Sequence, residues 1–213
     1  MEKRQSKTDI KYSLSLTDEQ KFAKQKILEN TVIFLLGEAG VAKTFTATSV
    51  ALDMVFKGLK SKIVITRPTV ATEDIGFLPG AFEEKMEPWL VPIRDNMRKF
   101  YNNPAKLKKM EEDGVIEVVS LAHFRGRTFQ DAICIVDEFQ NLSANQLKMA
   151  IGRIGKGSIM IFCGDRDQID LKQPTQSSIH SIEKLSRSSH VSIIELTENH
   201  RHPAITELLT LLK

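Results

Sequence analysis

The chain is poor in cysteine, with two in 213 residues. That excludes a disulfide framework as what holds the fold, and Cys134 and Cys163, each set in an apolar run, are expected as buried thiols in a reduced, cytoplasmic setting. No apolar run approaches the roughly 20 residues of a membrane-crossing helix. The first eleven residues are polar and charged, without an apolar signal segment, so neither membrane insertion nor secretion is expected. Internal repeats and low-complexity tracts are absent too, which removes solenoids and disordered arrays. Nor is either charge in large excess: 30 Lys and Arg against 27 Asp and Glu leave a formal +3, so composition permits a nucleic-acid partner without demanding one. What is present, 41% hydrophobic and 27% charged residues, is the make-up of a globular domain. The length suits one such domain with its own core, residues 16–213, after a loose lead at 1–15.

The most informative stretch is Gly37-Glu38-Ala39-Gly40-Val41-Ala42-Lys43-Thr44, running on into Phe45. It follows the apolar run Thr31 to Leu36 and precedes a helix-forming segment that ends at Gly58, so it reads as strand, phosphate-binding loop and helix. Small residues let the chain wrap a phosphate closely enough for backbone N–H groups to become its ligands. Lys43 then neutralises the outer phosphates, Thr44 offers a hydroxyl to Mg²⁺, and the helix N-terminus points its partial positive charge at the same anion. The last glycine of the pattern is replaced by Ala42. The substitution is expected to be accommodated by a negative φ, with the Cβ turned from the phosphate; a positive φ would bring strain.

Upstream, Thr17-Asp18-Glu19-Gln20 reads as a capping box that opens a helix to about Asn30. Further β-branched runs at Ile63 to Thr66, Val115 to Val119, Ile133 to Val136, Ser158 to Phe162 and Val191 to Glu195 alternate with helical stretches. Runs apolar on both faces predict a mainly parallel sheet covered on both sides, an α/β sandwich of three layers. The interval between the second and third strands is too long for a simple crossover and predicts a helical insertion at about 79–112, a place where specificity is often carried.

The fourth strand ends in Asp137-Glu138, two acids at the edge of an apolar core, which is costly unless cations meet them. Ligands of open parallel sheets collect at the carboxyl ends of strands, the same rim as the loop. Asp137 is assigned to Mg²⁺ and Glu138 to the water attacking a γ-phosphate. Gln168, in the turn after the next strand, can donate and accept, and so suits a sensor between γ-phosphate and water. Arg201 offers a planar, permanently charged fork for phosphate oxygens. His200 and His202 beside it, with no third ligand nearby, read as capping or packing residues, and Pro203 is placed to open the last helix.

Several stretches together resemble the PhoH family of P-loop ATPases, whose core is similar to the first motor domain of superfamily 1 helicases. They are the loop 37–44, Thr66-Arg67-Pro68, Gly76-Phe77-Leu78-Pro79-Gly80, Arg125-Gly126-Arg127-Thr128, Asp137-Glu138-Phe139-Gln140-Asn141, Gly164-Asp165 with Gln168-Ile169-Asp170, and Arg201-His202-Pro203, so the likeness spans about Leu16 to the C-terminus. The resemblance implies a RecA-like P-loop NTPase fold, ATP binding and Mg²⁺-dependent hydrolysis, and in some members RNA unwinding or cleavage. It also makes Gln20 the counterpart of a glutamine that reads adenine, alongside its capping role. The family's loop resembles G-P-A-G-T-G-K-T, from which this chain departs at Glu38, Val41 and Ala42. Phe139 stands where the family usually has alanine.

Arg67, Arg125 and Arg127 are candidates for nucleic acid or for a neighbouring subunit's phosphates; for the last two, surface ion pairing is an equal alternative. Arg94 to Lys109 holds six basic residues and one acid around Phe100 and Tyr101, a composition that suits single-stranded nucleic acid, although Phe100 also reads as core. Helicases of superfamily 1 bind ATP between two motor domains, and the family resemblance points to a homo-oligomeric ring, a hexamer among the options, in which one subunit completes its neighbour's site. The expected function is thus an ATPase acting on RNA or single-stranded DNA. A small-molecule P-loop kinase and a nucleotide-binding module with weak turnover are the competing classes.

Overall fold

The computed structural model describes the backbone of residues 12–68 and 82–211, with the side chains of 12–68, 91–208 and 211. Residues 76–80, quoted for the family resemblance, lie outside the described residues. In chain order the elements are α1 (Asp18–Glu29), β1 (Val32–Leu36), α2 (Lys43–Phe56), β2 (Lys62–Thr66), α3 (Phe82–Phe100), α4 (Pro104–Glu112), β3 (Ile116–Val118), β4 (Ala132–Val136), α5 (Ala144–Ile151), β5 (Ile159–Gly164), α6 (Ile182–Leu185), β6 (Val191–Glu195) and α7 (Pro203–Leu211). Short 3₁₀ turns fill the links after β3, β4 and β5.

The six strands form one sheet in the order β3-β2-β4-β5-β1-β6, and every described pairing is parallel. Alternation along each strand divides the core. Ile33, Leu35, Ile63, Ile65, Ile133, Ile135, Ile161 and Cys163 face α1 to α4, while Phe34, Leu36, Val64, Cys134, Val136, Met160 and Phe162 face α5, α6 and the 3₁₀ turns. Each fully buried large side chain contributes about 1.5–3 kcal/mol, and both faces of β1, β4 and β5 are covered this way, which is the three-layer α/β/α sandwich of a RecA-like P-loop domain. Phe139 completes the second layer with its ring against Phe34 and Phe162, and Gly164 is obligatory beside it, because a Cβ there would lie 2.5 Å from the Phe139 ring.

The capping box forms as the pattern predicts: Thr17 Oγ1 accepts from Gln20 N, and Gln20 Oε1 accepts from Thr17 N. Tyr12, within the stretch expected to be loose, is anchored. Its ring stacks on Phe100 with centroids 4.3 Å apart, and its hydroxyl donates to Asp53 Oδ1 at 2.5 Å. Lys24 and Lys57 donate to the other oxygen of Asp53, so one buried carboxylate on α2 ties together the lead segment, α1 and the end of its own helix. Burial works to raise Asp53, but the bonds from Lys24, Tyr12 and Lys57 outweigh it and hold the group below its usual range.

Candidate functional site

A cavity of about 600 Å³ opens at the carboxyl end of the sheet. Its floor is the loop between β1 and α2. Gly37 and Gly40 adopt φ of 143° and 101°, angles that side chains rarely allow. A Cβ at Gly37 would also lie 2.3 Å from the Leu196 carbonyl oxygen, so the loop closes tightly on the chain that follows β6. Val41 is buried under this turn, and Glu38 is exposed and is not among the residues that line the cavity. Lys43 Nζ donates to the carbonyls of Gly37 (2.7 Å) and Glu38 (2.9 Å), which holds the ammonium across the loop.

Ala42 departs from expectation. Its φ is +60° with ψ 34°, the left-handed conformation, where the residue type predicts a negative φ. The sharp reversal from the loop into α2 fixes the backbone here whatever the residue, and an L side chain in that region costs about 1–2 kcal/mol. Ala42 also lines the cavity, with Ala39, Gly40, Lys43, Thr44 and Phe45.

The order β4-β5-β1 sets the acids one strand away from the loop, and the first helical turn closes that gap: Thr44 Oγ1 donates to Asp137 Oδ1 at 2.8 Å. Asp137 is buried, and burial first, then the charge of Glu138, push its carboxyl up to about 6 against the pull of Thr44, Arg67 and Lys43. A hydroxyl and a carboxylate in contact are a hard-oxygen donor pair of the kind Mg²⁺ prefers. Among the described residues no group of three His, Cys, Asp or Glu side chains gathers as a metal site, so a cation here would draw its remaining ligands from phosphate and water. Glu138 takes a left-handed backbone, φ 52°, and its carboxylate faces the cavity with Arg67 at 3.9 Å.

Gln140 is a residue whose role sequence reasoning missed, although it stands in a quoted motif. It is fully buried, and its Nε2 donates to Glu138 Oε2 (2.6 Å) and to the Gln168 carbonyl (2.9 Å) while its Oε1 accepts from Asp165 N (3.2 Å). The side chain thus holds Glu138 and the Gln168 turn in one register. A glutamine two places beyond a strand-ending acid pair, between Phe139 and Asn141, was the available signal.

The rest of the cavity wall comes from far apart in the chain. Leu14, Ser15, Thr17 and Gln20 supply one side, Asn96 and Lys99 of α3 another, and Gln168, His200 and Arg201 the rim. Gln20 is both capped and in the cavity, so its two readings are compatible. Arg201 lies over the loop of its own chain: a Cβ on Gly40 would meet its Cγ, Cδ and Nε at 2.7–2.9 Å, and His200 N donates to the Gly40 carbonyl at 3.1 Å. The arginine stem therefore rests on the loop of its own chain. His202 Nδ1 accepts from Ala204 N, a cap on α7.

Other candidates stand apart. Arg127 forms a two-bonded ion pair with Glu117 and lies over the Phe129 ring, the contacts that its ion-pairing reading expects. Arg125 is exposed on a neighbouring turn. In the insertion, Phe100 is buried against Tyr12, the core reading of that ring, and Tyr101 is half-buried and packs edge-on to Phe56. Arg94 pairs with Glu111, and Arg98 with Asp95.

Comparison with known proteins agrees with this architecture. The family described as "PhoH-like protein" matches residues 14–213. A PhoH-like protein of Bacillus subtilis is 40% identical over 184 residues, covering 84% of this chain and 57% of that protein. This chain spans about half the length of the curated relatives it matches. Among solved structures, the Pif1 helicase of Candida albicans superposes with a TM-score of 0.52 at 16% identity, over 93% of this chain and 43% of that one. The large terminase of a thermophilic bacteriophage gives 0.57 at 10% identity, over 94% and 51%. At such identities the likeness is one of fold. No helix among the described residues is long and apolar enough to cross a membrane.

Proposed function

The chain belongs to the PhoH-like protein family, and on that premise we propose that it binds ATP in the cavity above its phosphate loop and hydrolyses it. The observation that carries the reading is the convergence on one cavity of Lys43, the Thr44–Asp137 pair, Glu138 and Arg201. The loop amides and Lys43 bind the β- and γ-phosphates. Thr44 and Asp137 are the residues that would hold Mg²⁺, which when bound neutralises charge developing on the phosphates. Glu138, fixed by Gln140, orients the attacking water and accepts its proton, and Gln168 bridges water and γ-phosphate from the turn that the same Gln140 holds. Arg201 places its guanidinium over Gly40, where it meets charge on the transferred group.

We extend the proposal to action on RNA or single-stranded DNA by a homo-oligomer. Arg67 beside Glu138, exposed Arg125 and Lys99 at the cavity wall are the cations this reading uses, and family membership and the helicase-like fold favour it over a kinase. Phosphate release from ATP with and without single-stranded RNA, for the native chain and Glu138→Gln, is the test. Stimulation by RNA that disappears in the variant is expected; ATP-independent binding of RNA with no stimulated turnover would overturn the coupling. The strained Ala42 favours a second reading, nucleotide binding with slow turnover, which the same measurement separates by its rate.

A further inference from the structure

Glu19 lies in the first turn of α1, next to Gln20, yet its carboxylate serves a segment 178 residues away. Oε1 accepts from Thr197 N at 2.8 Å and from Thr197 Oγ1 at 2.9 Å, and Oε2 accepts from Glu198 N at 3.1 Å. Two successive backbone amides and a hydroxyl are thus gathered by one acid, a geometry that needs both carboxylate oxygens. Burial works to raise Glu19, but the donors of Thr197 and Glu198 prevail and hold it below its usual range.

The segment so held carries Arg201. It leaves β6 with Leu196 N donating to the Leu36 carbonyl at 2.8 Å, crosses the loop with His200 N on the Gly40 carbonyl at 3.1 Å, and turns where Asn199 Oδ1 accepts from Arg201 N at 2.9 Å. The guanidinium stem then rests on Gly40. On the other side of Glu19, Gln20 is 3% exposed, locked by the capping box and part of the cavity wall. One turn of helix therefore connects the wall that meets the base with the segment that brings a cation to the phosphates.

We propose that Glu19 is a positioning residue that makes hydrolysis depend on which base is bound, by tying the Gln20 turn to the Arg201 segment. The proposal rests on the reading of Gln20 as the adenine contact. A base that pairs with Gln20 holds the first turn of α1, and the three bonds of Glu19 carry that placement to residues 197–201. A 6-oxopurine, with donor and acceptor exchanged at that edge, leaves the turn and Arg201 out of register. A displacement of about 1 Å at a reacting centre costs on the order of a hundredfold in rate, so small shifts suffice.

The test is steady-state phosphate release by the full chain with ATP and with GTP, for the native protein and for Gln20→Ala, Glu19→Gln and Thr197→Val. Thr197→Val removes one of the three bonds and leaves both amide donors, so it supplies a milder variant where Glu19→Gln fails to fold. The native chain should turn over ATP faster than GTP. Glu19→Gln should lower kcat for ATP on the order of tenfold, leave KM and the GTP rate nearly unchanged, and bring the ATP:GTP ratio of kcat toward one, with Thr197→Val moving the same way by less. Equal loss with both nucleotides, or a change confined to KM, would mean that Glu19 only braces the loop, and the proposal falls. A ratio lost in Gln20→Ala but retained in both other variants overturns the proposal alone. A native ratio of one, or a ratio that survives Gln20→Ala, overturns the adenine reading and the proposal with it.

Discussion

The two ends of the cavity are built differently. At the phosphate end, Gly37 to Thr44 and Asp137-Glu138 sit at the tips of β1 and β4, two buried strands with β5 between them, and each is placed by a few residues of adjacent sequence. At the end assigned to the base, Leu14, Gln20, Asn96 and Lys99 come from the lead segment, α1 and the insertion, held by contacts such as Tyr12–Asp53, and Glu19–Thr197 ties them to the chain after β6. The first end is a property of local pattern on a rigid sheet. The second is a property of tertiary assembly.

That contrast can be broken or sharpened by substitution. The largest effect is expected for Glu138→Gln, which keeps the shape of the phosphate end but removes the proton acceptor: kcat should fall about 10²- to 10⁴-fold with nucleotide affinity retained, as read by single-turnover hydrolysis and equilibrium binding. Next, Lys43→Ala deletes a charge-assisted contact to phosphate worth about 1.5–3 kcal/mol, so the Kd for ATP should rise by one to two orders of magnitude, measured by calorimetry. Tyr12→Phe acts only at the base end. It leaves the ring on Phe100 and removes the bond to Asp53, with an expected loss of about 1–2 kcal/mol in urea unfolding and unchanged kcat. A fall in kcat comparable to that of Glu138→Gln would erase the distinction between the ends.

Smaller effects probe the framework. Ala42→Gly removes left-handed strain of about 1–2 kcal/mol, partly offset by the greater chain entropy of glycine, so a stabilisation of up to about 1 kcal/mol is expected in denaturant melts. Last comes the Glu117–Arg127 pair, neither member of which lines the cavity. Arg127's hydrogen bonds chiefly, against burial and aided by Lys62, hold Glu117 down to about 2 from 4.5. A depressed carboxylate contributes stability in full above its unfolded pKa and loses it as pH falls through the folded one. The contribution should therefore be complete above about pH 4.5 and fade toward pH 2, and Glu117→Gln should flatten stability across that window. Partial solvent exposure keeps the effect modest.

How much of this was legible follows the same division. The strands, the loop, the capping box and the acids ending β4 were readable because each depends on period, on small residues or on a charge left at a strand tip. Runs apolar on both faces predicted a mainly parallel sheet, and every described strand pairing is parallel. Phe100 was ambiguous, since an aromatic among lysines and arginines looks the same whether it meets a base or Tyr12, and only the fold places Tyr12 against it. Glu19 and Tyr12 act through partners distant in sequence, so their roles have no local pattern, and Gln140 adds the distant Gln168 and Asp165 to its near neighbour Glu138. Ala42 shows the opposite limit: its residue type argued for a negative φ, and the reversal into α2 overrode that preference.

The two buried cysteines have a practical consequence for such experiments. Cys134 and Cys163 lie on neighbouring central strands with no exposed surface, and burial above all pushes the thiol of Cys134 up to about 12 and raises that of Cys163. A thiol reacts as its anion, and here the anion is suppressed and shielded. The native chain is therefore a silent background for thiol-directed dyes. One cysteine introduced at exposed Asn102 and another at exposed Glu198 would be the sites that react, giving a distance reporter between the insertion and the arginine segment without removing a native side chain from the core.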